Sequence, residues 1–394
     1  MRKTQTHFQT PFGNFDLQRF PKCGDKNLRA WNSADSFLLD ALYESERELG
    51  KLWIVNDAFG ALSVALNASM IHHYSDSFLS HLSCQNNYHD NELSLDRMTY
   101  VESTQALSGD CIDTLVMKIP KSLSLLEDQL QRLAPMITSS TKVIAASMSK
   151  HMHRSTIDLF EKNLGPTHTS LAKKKARLLF CDIDETRTEN VGLTWPKSVP
   201  SFEGGPLLVN HANVFSREKF DIGSRYLIER LEVGEGRERV IDLGCGNGVL
   251  GIYYGMKNPE ASLFFVDESY MALQSARDGA EENRIKNARF FKADALDTSQ
   301  GDHRSFFNAE ESVDVVLCNP PFHNQFEIGV QTAHKMFDHA HRVLREGGVL
   351  WVIGNSHLAY HIQMKKLFSK VVHVKSAKDK HSKNKKFVVF KATK

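Results

Sequence analysis

The sequence predicts an α/β protein built from two tandem domains, each a mostly parallel β-sheet with helices on both faces. Short apolar strands alternate with helical segments along most of the chain. A strand, a glycine turn and a helix follow one another at 240–251, and a weaker version of this pattern lies at 53–62. The length of 394 residues is large for one domain and natural for two.

Composition argues against several classes of protein. The hydrophobic content of 41% is enough for packed cores, and the net charge of +2 gives no overall basic field. The six cysteines are isolated from one another, which favours reduced thiols over disulfides or structural zinc. No apolar run approaches the roughly 20 residues of a membrane span, and the first residues lack the apolar segment of a signal peptide. We therefore expect a cytoplasmic protein with no membrane partner and no metal.

The first half of the chain reads as a degenerate copy of the second. When Gly60 is aligned with Gly248, strands and helices follow in the same order in both halves. The first copy keeps one of three turn glycines and places Ala58 and Phe59 beside it, so we expect these side chains to fill the ligand space. The alternative is two unrelated α/β domains that share common strand patterns.

The first copy also differs where a strand ends in polar residues. The second copy has the tetrapeptide Asn319–Phe322, whereas the first has Lys118–Lys121, so a polar acceptor is absent and two cations appear. A basic run, Lys173–Arg177, follows; it is either solvated surface or a contact for RNA phosphates. We expect a degenerate, RNA-docking domain at 1–165, a linker at 166–206 and a catalytic domain at 207–394.

The glycine turn is the main sign of a ligand site. Gly244, Gly246 and Gly248 carry no Cβ, so a ligand can approach the backbone, and the following helix points free N–H groups at it. A nicotinamide dinucleotide site is the alternative. Its glycines are spaced G-x-G-x-x-G, however, whereas this turn reads D-x-G-x-G-x-G from Asp242.

Two more strand ends carry polar residues. Asp267 follows the apolar strand 263–266, where a carboxylate can bind ribose hydroxyls. The tetrapeptide Asn-Pro-Pro-Phe follows the strand 314–318 and is much rarer by chance than a glycine turn. The order of these features resembles class I S-adenosylmethionine (SAM) methyltransferases, and the tetrapeptide resembles those that methylate exocyclic nitrogens.

The resemblance extends over nearly the whole chain. The duplicated halves, the segment Phe220–Ser224 and His323 after the tetrapeptide are similar to the ribosomal RNA guanine-N2 methyltransferases. Asn56–Gly60 and Gln325 look more like the large-subunit branch, the methyltransferase G family, than the 16S branch, the methyltransferase C family. The resemblance implies two tandem Rossmann-like domains with mostly parallel seven-stranded sheets, a C-terminal antiparallel hairpin and a degenerate first copy.

The resemblance also implies a SAM site in the second copy. Asp242 would receive the ammonium of the amino-acid part, Asp267 the ribose, and Asp294 and Ala295 the adenine. The segment with Phe215 would close the pocket, although it also reads as a helix N-cap. The implied cofactor-binding residues are Phe215, Asp221, Gly223, Asp242, Gly244, Gly246, Gly248, Asp267, Asp294, Ala295 and Asn319.

The catalytic residues implied by the resemblance are Asn319, Pro320 and Phe322. An exocyclic amine is a poor nucleophile because its lone pair is delocalised into the ring. The Asn319 side-chain oxygen and the Pro320 carbonyl can accept its two N–H bonds and aim the nitrogen at the sulfonium methyl. Phe322 offers a flat face to an extruded base. Positioning then suffices, without a metal or covalent intermediate. The alternative is a proline-stiffened strand end.

We therefore expect SAM-dependent methylation of N2 of one guanine in 23S rRNA, with S-adenosylhomocysteine as product. The RNA would be naked or part of an early assembly intermediate of the large subunit. Three alternatives remain open: a 16S rRNA enzyme, a protein or small-molecule methyltransferase, and a non-catalytic RNA-binding module.

Overall fold

The computed structural model describes residues 5–22, 25, 27–67, 69–107, 109–189, 191–297, 312–321, 326–375 and 386–394, without the side chains of 326–329. It divides the chain into two compact units, Met1–Trp195 and Pro196–Lys394. We expected a linker at 166–206, but this division assigns those residues to the two units themselves. Strands within 167–181 pair with the first sheet, and a hairpin within 197–210 belongs to the second unit, because their backbone groups form ladders there.

The first unit contains nine strands and six α-helices among its described residues. The strands are β1 His7–Thr10, β2 Gly13–Asp16, β3 Lys51–Val55, β4 Met70–Ser75, β5 Met98–Glu102, β6 Thr114–Lys118, β7 Lys142–Met148, β8 Thr167–Thr169 and β9 Ala176–Cys181. The helices are α1 Ser33–Glu44, α2 Ala61–Ala65, α3 Phe78–Asp90, α4 Leu123–Leu133, α5 Arg154–Asn163 and α6 Glu185–Thr188.

The second unit repeats this alternation of strands and helices. Its strands are β10 Lys197–Pro200, β11 Leu207–Asn210, β12 Arg239–Leu243, β13 Ser262–Asp267, β14 Ala288–Lys292, β15 Val313–Cys318, β16 Leu344–Asn355, β17 Lys370–His373 and β18 Phe387–Thr393. Its helices are α7 Ile222–Ile228, α8 Val249–Lys257, α9 Tyr270–Glu282, α10 Phe326–Val343 and α11 Tyr360–Leu367.

The two units share one sheet topology. Within the described chain each has a seven-stranded sheet, in the order β5-β4-β3-β6-β7-β9-β8 in the first unit and β14-β13-β12-β15-β16-β18-β17 in the second. The first five strands of each order are parallel, and the last two pairings are antiparallel. This confirms the predicted tandem fold and the antiparallel C-terminal hairpin.

Apolar side chains cover both faces of each sheet. Along β3, Leu52 and Ile54 join one core cluster, while Trp53 and Val55 join another. This alternation is what a strand buried on both faces requires, and the second sheet is packed in the same way. Since each core holds its central strands in place, the residues at the strand ends have fixed positions.

Strand register fixes which residues of the two units correspond. Val55 at the end of β3 pairs with Met117, and Leu243 at the end of β12 pairs with Cys318. The next residue on the second strand is Lys118 in the first unit and Asn319 in the second. Lys118 thus occupies the position of the predicted catalytic asparagine.

The first unit keeps the backbone of the glycine turn. Gly60 and Gly248 have φ of 76° and 75°, and Asn56 has φ of 63° where Gly244 has 68°. Asparagine is one of the few residues with a side chain that adopts this left-handed conformation readily. The first unit therefore keeps two of the three left-handed positions of the turn with a single glycine, whereas Ala58, at the position of Gly246, does not have a positive φ.

One of the two side chains beside Gly60 departs from the expectation. The Phe59 ring packs against the core of the first unit, with the Arg19 guanidinium carbon 4.3 Å from the ring centroid, whereas Ala58 is exposed. Lys118 is not available to RNA either, because its ammonium pairs with the buried carboxylate of Asp35. Phe59 and Lys118 are thus engaged within the first unit itself.

The first unit also differs from the second in its carboxylates. The residues that correspond to three acids at the carboxyl edge of the second sheet carry no charge. The corresponding pairs are Asp221 and Asn32, which are the N-caps of α7 and α1, and, by strand register, Asp242 and Ile54, and Asp267 and Ser75. At these three positions the first unit consequently offers no acid to a cationic ligand.

Neither a membrane-spanning helix nor a metal cluster occurs in the described residues. Nowhere in them is there a helix whose length and apolar character would let it cross a membrane. The same residues contain no group of three or more histidine, cysteine, aspartate or glutamate side chains arranged to hold a metal ion.

Candidate cofactor and catalytic site

The predicted site residues meet at the carboxyl edge of the second sheet. Strands β14, β13, β12 and β15 are adjacent and parallel, so the segments that follow them lie side by side. The glycine turn after β12 is fixed to β13, because the backbone N–H groups of Gly244 and Cys245 donate to the Val266 carbonyl at 2.8 and 3.0 Å.

The three turn glycines have different reasons to be glycine. All have positive φ, but a Cβ on Gly248 would lie 2.8 Å from the Cβ of Ala276 in α9. A Cβ on Gly244 would lie 3.0 Å from the Met336 side chain, whereas one on Gly246 would meet nothing within 4 Å. Gly248 is therefore needed for packing, and Gly246 faces the open space that a ligand would use.

Asp267 connects three segments at this edge. Its Oδ2 accepts the N–H of Gly246 at 2.9 Å, and its Oδ1 accepts the N–H of Ser269 at 3.0 Å. The position is compatible with the predicted ribose contact.

Asp242 is buried below the turn, where its Oδ2 accepts the N–H of Gly251 at 2.8 Å. Burial, together with the nearby charge of Asp267, raises the pKa of Asp242 to about 8. Burial and the same carboxylates raise the pKa of the Cys245 thiol, and burial and Asp242 raise that of Cys318. The edge is thus dry, its negative charge comes from Asp267, and a cationic ligand would favour the charged form of Asp242.

The predicted adenine loop is held by helix α10. Lys335 Nζ donates to Asp294 Oδ2 at 2.5 Å, and the Leu296 N–H donates to His339 Nδ1 at 3.1 Å. Arg342 donates to the Leu296 carbonyl. Burial lowers the pKa of His339 to about 4, so its ring remains a neutral acceptor. Asp294 would therefore bind a ligand while it remains paired with Lys335.

Our sequence reasoning missed these three helix residues. Lys335, His339 and Arg342 are spaced four and three residues apart, which places them on one face of α10. That spacing was visible in the sequence. Their target, the loop after β14, could not be identified without the fold.

Asn319 directly follows β15, and its amide is bonded on one side only. Its Nδ2 donates to Ser224 Oγ at 3.1 Å and to Asp221 Oδ2 at 3.3 Å. Its Oδ1 is buried and has no hydrogen-bond partner in the described part of the chain. Pro320 is buried beside it, and the predicted stacking residue Phe322 lies outside the described residues.

The segment before the sheet contributes helix α7. Asp221 is its N-cap, with Oδ2 accepting the Ser224 N–H at 2.6 Å. Gly223 is buried, and a Cβ there would lie 3.0 Å from Asp221 Oδ2. Phe215 lies in the preceding loop and is 55% exposed. The N-cap interpretation of this segment is therefore correct, and its contact with a cofactor stays a prediction.

The residues present fit SAM. Its amino-acid ammonium and its sulfonium are both cationic, and the turn is bordered by Asp267 and, below it, by Asp242, whose charged form a nearby cation would favour. The open space above Gly246 leaves the backbone accessible. These residues would hold the cofactor, which supplies an electrophilic methyl group when bound. The first unit has neither these acids nor the other two turn glycines.

Comparison with known proteins gives the class. The RLMG N-terminal domain model matches residues 5–185, and the methyltransferase small domain model matches residues 206–391. The T. thermophilus 16S rRNA N2 G1207 methyltransferase (RsmC), solved in complex with AdoMet and guanosine, shares the fold with a TM-score of 0.74 at 19% identity. The match covers 99% of this chain and 97% of that one. The chain is a SAM-dependent methyltransferase.

Relatives that match this chain over nearly its full length show the family to which it belongs. The chain is 41% identical over 391 residues to ribosomal RNA large subunit methyltransferase G of Streptomyces avermitilis, with 98% of each protein covered. It is 42% identical over 394 residues to the protein of that name in Pseudomonas paraeruginosa, covering 98% of this chain and 99% of the relative. The chain belongs to the ribosomal RNA large subunit methyltransferase G family.

Alanine substitutions at two turn glycines should separate binding from packing. Both Gly246→Ala and Gly248→Ala place a side chain at positive φ, which costs about 1–2 kcal/mol. Only Gly248→Ala adds a clash with Ala276, so it should lower the melting temperature much more. Gly246→Ala should instead weaken SAM binding at least about tenfold, because its methyl group enters the ligand space. Calorimetry and thermal unfolding measure both. Wild-type SAM affinity in Gly246→Ala would contradict this assignment.

Asp242 should give the second unit a pH-dependent stability. Because burial raises its pKa to about 8, the folded state holds a proton that the unfolded state releases above its ordinary pKa of 3.8. Stability should therefore fall as pH rises within this window, by about 1.4 kcal/mol per pH unit between about pH 5 and pH 7. Asp242→Asn keeps the acceptor for Gly251 without a titratable proton. The unfolding free energies of the wild type and of Asp242→Asn should be measured across this pH range. If the two free energies change in parallel with pH, Asp242 does not cause the pH dependence.

Proposed function

We propose that this protein transfers the methyl group of SAM to the exocyclic N2 of a guanine in 23S rRNA. The relatives at 41–42% identity carry the name of a large-subunit rRNA methyltransferase, which favours 23S over 16S rRNA. The T. thermophilus protein of the same fold is an N2 G1207 methyltransferase of 16S rRNA, which supports N2 of guanine as the acceptor. An rRNA substrate would be met in the cytoplasm, where ribosomes assemble.

One observation carries the proposal: the buried amide oxygen of Asn319, beside Pro320, has no donor in the described part of the chain. A buried acceptor without a donor is unfavourable unless a ligand supplies one. The amino group of guanine offers two N–H donors. In this proposal Asn319 Oδ1 accepts one and the Pro320 carbonyl accepts the other, and both are fixed by the end of β15.

These acceptors would act by orienting the amine. Holding both N–H bonds turns the nitrogen lone pair toward the sulfonium methyl, so the N–C bond forms as the S–C bond breaks. The proton lost from N2 leaves to solvent, and S-adenosylhomocysteine is released. Because the edge is dry and preorganised, each hydrogen bond would stabilise the transition state more than the same bond would in water. The stacking role of Phe322 stays a prediction.

The first unit would dock the RNA at the carboxyl edge of its own sheet. Lys121 follows β6, Lys150 follows β7, and Lys174 and Lys175 precede β9, which runs antiparallel to β7. The Ser149 N–H donates to the Lys175 carbonyl at 2.7 Å, which joins two of these turns. We call these four lysines the edge cluster.

The edge cluster is exposed, and none of its members pairs with a carboxylate among the described residues. Two of its cations lie near His151: burial lowers the pKa of this histidine most, and the charges of Lys121, Lys150 and His153 lower it further. Lys118 and Lys173, two other cations that the sequence offered for this role, pair with Asp35 and Asp40. The edge cluster is therefore the better candidate for phosphate contacts.

Asn319→Ala should lower the single-turnover methylation rate about a hundredfold, roughly 3 kcal/mol, because it removes a preorganised acceptor. SAM affinity and the melting temperature should stay close to wild type. A buried structural asparagine provides the control. Asn258 donates to Glu238 at 3.3 Å, away from the glycine turn, so Asn258→Ala should reduce stability without slowing methylation by the folded protein. Equal loss of rate, SAM affinity and stability in Asn319→Ala would assign Asn319 a structural role.

Glutamine substitutions in the edge cluster should weaken RNA binding in a salt-dependent way. Removing one phosphate interaction should reduce the slope of log affinity against log salt by about one unit. Binding of 23S rRNA transcripts to Lys121→Gln, Lys150→Gln and the double variant tests this. Lys162→Gln, which removes an exposed cation already paired with Glu127, should leave the slope unchanged. If the double variant shows the same salt slope as the wild type, the RNA does not dock at this edge.

A further inference from the structure

The amide of Asn319 is part of a three-residue arrangement with helix α7. Its Nδ2 donates to Ser224 Oγ and to Asp221 Oδ2. The same Asp221 oxygen accepts the backbone N–H of Ser224 at 2.6 Å, as the helix cap. One carboxylate oxygen therefore caps the helix and holds the amide nitrogen, while the amide oxygen remains without a partner in the described chain.

Asp221 decides which end of the amide faces the helix. A carboxylate oxygen can only accept, so a half-turn of the Asn319 amide would place two acceptors against each other. The Ser224 hydroxyl does not discriminate in this way, because it can donate or accept. The orientation that leaves Oδ1 pointing away from α7 therefore depends on Asp221.

The first unit contains the same contact with different chemistry. At the position of Asn319, the Lys118 ammonium pairs with Asp35 in the first turn of α1. In both units a carboxylate at the start of a helix holds the side chain at this strand end. An ammonium group carries donors only, whereas an amide held by its nitrogen still presents an acceptor on the other side.

We infer that Asp221 is a positioning residue for methyl transfer. Assisted by Ser224, it fixes the Asn319 amide so that Oδ1 faces the target amine. The inference rests on the proposed function, in which that oxygen accepts an N–H of guanine. It differs from the family expectation that Asp221 serves the cofactor, because its effect falls on the rate of transfer and not on SAM affinity.

Two substitutions at Asp221 test the inference. Serine caps a helix as well as aspartate does, so Asp221→Ser keeps the cap. Its side chain is shorter, so it no longer accepts a hydrogen bond from the Asn319 nitrogen. We expect the single-turnover rate to fall about 10- to 100-fold, as for other small losses of alignment. SAM affinity by calorimetry and the melting temperature should not change. Asp221→Asn, whose oxygen can occupy the same place beside the Ser224 N–H, should recover most of that rate.

A matched exchange controls for the helix cap itself. Asn32 is the N-cap of α1 in the first unit, and Asn32→Ser replaces one good cap with another far from the glycine turn in sequence. This variant should methylate at the wild-type rate. It shows how much a cap exchange alone changes the melting temperature.

The outcomes separate this inference from the proposed function. A wild-type rate in Asp221→Ser, a parallel loss of rate and SAM affinity, or no recovery in Asp221→Asn would overturn the positioning role. If Asp221→Ser is fast while Asn319→Ala remains slow, only the inference is wrong. If Asn319→Ala also methylates at the wild-type rate, the proposed role of Asn319 is wrong, and the inference with it.

Discussion

The carboxylate of Asp267 is the interaction on which the candidate site depends. Through two backbone N–H groups it joins the end of β13 to the glycine turn and to the segment that begins α9. The Val266 carbonyl adds two more bonds to the same turn. Glycine adopts left-handed backbone without steric cost but loses much conformational entropy when it is fixed, so a turn with three such glycines gains from this support by a neighbouring strand. The remaining site groups are placed relative to it.

The duplicated architecture shows what the fold needs and what the cofactor needs. Both units keep the sheet order, the left-handed first and last positions of the turn, and a carboxylate that holds the side chain after the fourth parallel strand. The first unit does not carry the acids of the second unit's edge, and the acid in its own turn, Asp57, caps the helix through Leu62 and Ser63. Burial, together with the nearby charge of Asp35, raises the pKa of Asp57 to about 6. A fold can therefore persist after its ligand chemistry has gone.

Helix α10 gives the catalytic edge a second support. Its N-terminal end follows the tetrapeptide loop, and its later turns contact the loop after β14 through Lys335, His339 and Arg342. The Met336 side chain also lies against the position of Gly244. One helix therefore connects the predicted methyl-acceptor and adenine regions. A ligand bound beside the loop after β14 would meet groups that are already hydrogen-bonded to this helix.

By itself, the sequence determined the fold, the duplication and the kinds of chemical group at the second sheet's edge. These follow from local patterns: strand and helix periodicity, glycines in a turn, and polar residues directly after strands. Only the tertiary structure decided which of those groups already have partners. It showed that Gly248 is needed for packing. It paired Asp294 with Lys335, and Lys118 with Asp35. Within the described chain it gave hydrogen bonds to the side-chain nitrogen of Asn319 but none to its oxygen. Asn319 and Asp221 are 98 residues apart in the chain, and no local pattern encodes a distance between side chains brought together by packing.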